Sequence, residues 1–150
     1  MKVSLEDWLS KGQLRQHKTS RNEIQQLLAV FARDIADAQL RTLSTDRRFA
    51  TAYNAALTVA TAALAACGYR AAGEGHHYWT VQTLAFTLQL DAKTIEEFNR
   101  FRRKRNTIDY ERTGAVSEKE VSEMLELAEN IRHRLEQWLR AHYPNLARES

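Results

Sequence analysis

Apolar side chains recur at helical spacing in stretch after stretch of this chain, and almost nothing interrupts them. Ile24, Leu27, Leu28, Phe31, Ile35 and Ala38 form one stripe, and Phe49, Tyr53, Leu57, Ala60, Leu64 and Cys67 a second. A third runs through Val121, Met124, Leu125, Ala128, Ile131, Leu135, Trp138 and Leu139. Residues three, four and seven apart share one face of a helix, so each stripe can be buried as a unit. Five glycines and one proline in 150 residues leave little turn chemistry, and no segment shows the β-branched alternation that marks a strand. The expectation is an all-α chain, an antiparallel four-helix bundle with additional short helices, in one domain large enough to bury a core.

Capping signals divide it. Residues 1–19 read as a short helix carrying Leu5, Trp8 and Leu9, ended by Gly12 and followed by a polar linker. Residues 20–143 read as the bundle. Ser20-Arg-Asn-Glu23 is a capping-box pattern opening a helix to about Arg41, and Ser44-Thr-Asp46 offers caps for a helix to Cys67 with Gly68 after it. A shorter helix is expected from about His77 to Leu90, then one capped by Asp91 that reaches about Tyr110. Ser117-Glu-Lys-Glu120 is a second capping box and opens the last helix; Pro144 ends it, leaving residues 144–150 as a frayed tail.

The formal net charge of +3 and a pI near 9.2 are too mild to argue for nucleic acid by themselves. Cys67 is the single cysteine, which excludes an intrachain disulfide and fits a reducing compartment. The acidic start Met-Lys-Val-Ser-Leu-Glu-Asp-Trp is no signal peptide. Residues Ala50 to Cys67 are alanine-rich, but Thr51, Tyr53, Asn54, Thr58 and Thr61 make a poor membrane span. A soluble, cytoplasmic protein without a cofactor is expected.

The charge is unevenly placed: five of the six residues from Arg100 to Arg105 are cationic. This run lies inside Phe98-Asn-Arg-Phe-Arg-Arg-Lys-Arg-Asn-Thr-Ile-Asp-Tyr110, whose apolar stripe is Phe98, Phe101 and Ile108 with Arg105 set among them. A guanidinium there is costly unless paired or hydrogen-bonded. Arg102, Asn106, Asp109 and Tyr110 fan out on one flank of it. One reading is structural, with Arg105 pairing to Asp109 one turn later and Tyr110 packing on a neighbouring helix. The other is a ligand site in which Arg105 grips a phosphate, oriented by Asn106 and Tyr110, because the planar guanidinium fork suits bidentate contact.

Other candidates are weaker. His76 and His77 are adjacent, so they rarely converge on one ion, and no Cys or carboxylate spacing completes a metal set. Cys67 lies on a helical stripe and reads as a buried apolar thiol. The glycine-rich stretch from Gly68 to His77 has no phosphate-loop spacing.

Arg48-Phe49-x-x-Ala52-Tyr53-x-x-Ala56, then Gly68-Tyr-Arg70 with Gly75-His-His77, then Arg105-Asn106-x-x-x-Tyr110 follow in an order that resembles the HEPN superfamily over roughly Ser20 to Leu139. The last of these falls where that family carries Arg-x(4–6)-His. The resemblance implies a helical bundle that commonly dimerises, bringing two arginine motifs to one cleft. In many members the cleft is a metal-independent ribonuclease site; others bind nucleotides or partner a nucleotidyltransferase in toxin–antitoxin pairs. Arg102, Arg105, Asn106, Asp109, Tyr110 and Tyr53 are the candidate ligand-binding residues, with Arg105 and Tyr110 the catalytic pair if the chain is an enzyme. Here Tyr110 stands at the histidine position. Metal-free RNA cleavage needs a proton acceptor near neutrality, which histidine supplies and tyrosine does not. The expectation is thus a homodimeric module that binds a nucleotide, RNA or a protein partner without cutting RNA. The alternatives are a ribonuclease toxin, drawing on His76 or His77, and a purely structural module with Arg105 at a dimer interface.

Overall fold

Among the described residues, five of the six α-helices begin on a side-chain cap. The computed structural model describes residues 4–108 and 114–148, and in it α1 (Leu5–Ser10), α2 (Arg21–Ala38), α3 (Thr45–Ala66), α5 (Ala92–Asn106) and α6 (Glu118–His142) start after Ser4, Ser20, Ser44, Asp91 and Ser117. Each cap accepts a hydrogen bond from the backbone N–H three residues on, at 2.8–3.2 Å. The reciprocal capping box forms at Ser117 and Glu120, and also at Ser4 and Asp7. At α2 Glu23 does not close the box expected there. Its Oε1 accepts instead from Thr19 Oγ1 at 2.8 Å and lies 2.8 Å from His17 Nε2, so it ties the incoming chain to the helix.

The chain is predominantly helical, and α3 is its axis. Fourteen of the 22 residues of α3 are buried, most of them alanine, which lets neighbouring backbones approach closely. α2 and α6 pack most extensively on it, and α4 (His76–Gln82) and α5 also lie against it. Phe49 meets Phe101 edge-on at 5.8 Å, and Tyr53 meets Phe98 edge-on at 5.9 Å, which joins α3 to α5. By length and composition Thr45–Ala66 could cross a bilayer, but 67% of its apolar window is buried against the rest of the protein, as in a core helix.

Arg48 closes one end. Its Nε donates to Ala38 O at 2.8 Å and its Nη1 reaches both carboxylate oxygens of Glu118 at 3.0 and 2.9 Å, binding the end of α2 and the start of α6 to α3. Beside it Asp46 Oδ1 accepts from Val116 N at 3.1 Å.

Four expectations are corrected. Strands exist: β1 (Leu14–Gln16) pairs antiparallel with β2 (Tyr69–Ala71), with Leu14 opposite Ala71 and Gln16 opposite Tyr69. Three residues are too few for an alternation to show in the sequence, and the supposed linker is half of a ladder. The helix expected from His77 to Leu90 stops at Gln82, passes through a 3₁₀ turn at Thr83–Ala85 and leaves helical geometry at Gln89, where φ is +55°. Thr80, Thr83 and Thr87 each turn a hydroxyl onto a backbone carbonyl three or four residues back, a competition that weakens continuous helix. α5 ends at Asn106, where Thr107 Oγ1 bonds to Lys104 O at 2.7 Å. The tail is not frayed through Arg148: Ala147 is buried, and Gln25 Nε2 donates to Leu146 O at 3.1 Å.

Candidate anion-binding site

The cations of the run from Arg100 to Arg105 divide into two groups. Arg103 meets Glu96 at 2.8 Å, Lys104 meets Glu120 at 3.4 Å and Arg100 lies 3.7 Å from Glu123. Arg102 and Arg105 have no carboxylate within ion-pair distance among the described residues. They follow Phe98 by four and seven positions, on the stripe that packs against Tyr53. Phe98 and Phe101 are fully buried, whereas Arg105 is half-buried, because the stripe leaves the core in the last turn of α5. Three cations in that turn also complement the helix dipole.

Arg102 is held from two sides. Its Nε donates to Asn99 Oδ1 at 3.3 Å, and Asn99, itself 5% exposed, donates from Nδ2 to Gln82 Oε1 at 2.6 Å. Its guanidinium also lies 5.3 Å from the ring centroid of Tyr78, a cation–π arrangement. A chain of amides from α4 to α5 thus fixes where this charge sits.

Tyr53 is the unusual member. Its ring is 2% exposed, and its hydroxyl is buried without a hydrogen-bond partner. A buried orphan donor costs about 1–3 kcal/mol. Burial pushes the phenol up to about 12, against a downward pull from Arg102 and Arg105. The same two arginines act on His77 of α4. Its pKa is lowered, first by partial burial and then by the charges of His76, Arg102 and Arg105, so it is neutral at pH 7. The rings of His76 and His77 stand edge to face at 4.4 Å.

The structure therefore brings together Tyr53, Arg102 and Arg105 from the expected set and adds His77, Asn99, Gln82 and Tyr78. Asn106 is exposed at the helix end. Asp109 and Tyr110 lie outside the described residues. The sequence offered His76 and His77 to the site only as the base of the alternative ribonuclease reading, because nothing local sets one apart from the other; His77 lies in the first turn of α4, which follows Gly75 and the β1–β2 ladder. A cleft of 490 Å³ adjoins the cluster, with Tyr78, Gln82, Asn99, Arg103 and the carboxylate of Glu96 among its lining.

Chemically this is two guanidiniums with no carboxylate at ion-pair distance among the described residues, beside a buried O–H donor and a neutral imidazole. Such a set welcomes an oxyanion. Among the described residues no group of three His, Cys, Asp or Glu side chains is placed to hold a metal ion. Burial raises the Cys67 thiol, which accepts from Tyr143 Oη at 3.7 Å and is a poor nucleophile in that state. Compared with models of protein families, with curated proteins and with solved structures, the chain matches none.

Proposed function

We propose that this chain is a HEPN-like four-helix bundle, dimeric by that likeness, which binds a phosphate-bearing nucleotide or RNA between α3, α4 and α5 and does not cut RNA. The packing of α2, α5 and α6 on α3 supports the bundle reading. The observation that carries the site is the orphan hydroxyl of Tyr53, whose ring packs on Phe98 of the α5 stripe that carries Arg102 and Arg105, two cations with no carboxylate at ion-pair distance among the described residues. An entering phosphate oxygen gives that donor an acceptor and the arginines a counter-charge at once. The test is binding of nucleotides and short RNA by wild type and Arg105→Ala, with folding followed by circular dichroism. Equal binding by both folded proteins rejects the site.

His77 favours a second reading, a metal-independent ribonuclease. A neutral imidazole beside two arginines is the base that Tyr110 does not provide. RNA left intact by excess protein rejects it, whereas cleavage lost in His77→Gln and Arg105→Ala supports it.

A further inference from the structure

We propose that the groove between α5 and α6 is a docking surface for a basic helical segment of another protein, apolar along one edge and rich in arginine or lysine beside it. The register of the two helices points to it. They run antiparallel and are tied near one end by ion pairs, Lys104 to Glu120 at 3.4 Å and Arg100 to Glu123 at 3.7 Å. One turn further along, the same register sets Glu97 opposite Glu126. Cation against anion gives way to anion against anion, and there a groove of 570 Å³ opens that both carboxylates line. Neither Glu97 nor Glu126 has a cation within ion-pair distance among the described residues. Arg134 and His133 lie toward the groove's other end, where Arg134 Nη2 donates to Leu88 O at 2.7 Å.

The floor says what kind of side chain fits. Leu90, Leu127 and Ile131 line the groove, with Thr94 on the α5 wall and Asn130 on the α6 wall. An apolar floor below unpaired carboxylates matches a side chain with an aliphatic stem and a cationic head, which describes lysine and arginine. From Glu123 to Arg134 the α6 wall runs about 16 Å, three turns of helix. Over that length a helical occupant lays residues four apart along the floor and the cations next to them against the rim. The groove's volume falls inside the roughly 300–1,000 Å³ of sites that enclose a drug-sized ligand, so it holds more than one side chain. Charge selects the sign of the partner. The chain as a whole carries +3, yet this surface is locally acidic, so a basic segment finds there an attraction that the net charge does not offer. Arg102 and Arg105 do not line the groove, and it stands whether or not they bind phosphate.

The test is fluorescence anisotropy at about 0.1 M salt with a labelled helical peptide of Leu-Arg-Arg-Ala repeats, and a control peptide with Gln in place of each Arg. Wild type is expected to bind the arginine peptide and not the glutamine one. Binding should weaken at least about tenfold in Glu97→Gln/Glu126→Gln. It should weaken about threefold or less in Asp37→Asn/Glu74→Gln, which removes the same charge from exposed positions outside the groove. Asn130→Arg, which sets a tethered guanidinium at an exposed position on the rim, should weaken it as well. The methyl resonances of Leu127 and Ile131, followed by NMR, should shift with the arginine peptide. No binding by wild type, equal weakening in the two double variants, or silent methyls overturns the proposal. Displacement of the peptide by an equal concentration of spermidine assigns the groove to a small polyamine, and self-association lost in Glu97→Gln/Glu126→Gln assigns it to a second copy of the chain; either result overturns the proposal too.

Discussion

Tyr53 pairs a full apolar burial with an unmet hydroxyl, and the two halves predict opposite responses to its replacement. Tyr53→Phe keeps the edge-on contact with Phe98 and removes the orphan donor, so denaturant unfolding should show unchanged stability or a gain of about 1 kcal/mol. The same change should weaken phosphate binding about five- to tenfold. Its ionisation gives a second readout. The folded phenol is raised from 10.0 to about 12, so its contribution to stability is complete below pH 10 and is lost as pH rises toward 12. Tyr53→Phe should flatten that alkaline loss in unfolding curves taken from pH 9 to 12. Arg48 shows the contrasting case of a buried polar group fully used. Arg48→Ala strands Ala38 O and removes the ion pair to the water-exposed Glu118, and should cost about 2–3 kcal/mol by the same measurement. The sequence carried Arg102 and Arg105 to the right helix face, because 3.6-residue periodicity alone sets that relation. It could not say which cations of the run are neutralised, since Glu96, Glu120 and Glu123 are chosen by packing between helices.

Helix starts were legible wherever a serine or aspartate caps, because that preference is a local hydrogen bond. The missed elements are those fixed by distant partners. β1 exists only against β2, and α4 is placed by that ladder and by Trp8, whose ring meets Trp79 and Phe86 edge-on at 5.0 Å each. α1 buries none of its own residues fully, so this aromatic contact is its main hold. Trp8→Ala should release it: hydrogen exchange should rise in residues 5–16 and along α4, with global stability reduced by about 1–3 kcal/mol for two lost aromatic pairs. Protection unchanged in α4 would show that α1 does not position it.

At the scale of the whole molecule, polar ties close the ends of the helices while α3 supplies the interior. The helix-start carboxylates Glu120 and Glu23 both sit below their ordinary pKa of 4.5. Backbone N–H donation from Ser117 outweighs desolvation for Glu120, and for Glu23 the contacts with His17 and Thr19 outweigh the upward effect of burial. Their contribution is present above pH 4.5 and is lost as pH falls through the lower folded values, so acid unfolding should begin there and be blunted in Glu120→Gln. Within the cationic run of α5, Arg102 and Arg105 are left without a carboxylate at ion-pair distance among the described residues. That asymmetry is the centre of the account, and it separates a site from a merely basic helix. The direct measurement is calorimetric binding of AMP by two double variants, each checked for folding. Arg102→Ala/Arg105→Ala should lose about 100-fold or more in affinity, about a factor of ten for each charge-assisted contact. Arg100→Ala/Lys104→Ala, which removes two cations already held by carboxylates, should lose less than about threefold. Equal losses in the two variants would contradict the account, because AMP would then be responding to the net charge of α5 rather than to a built site.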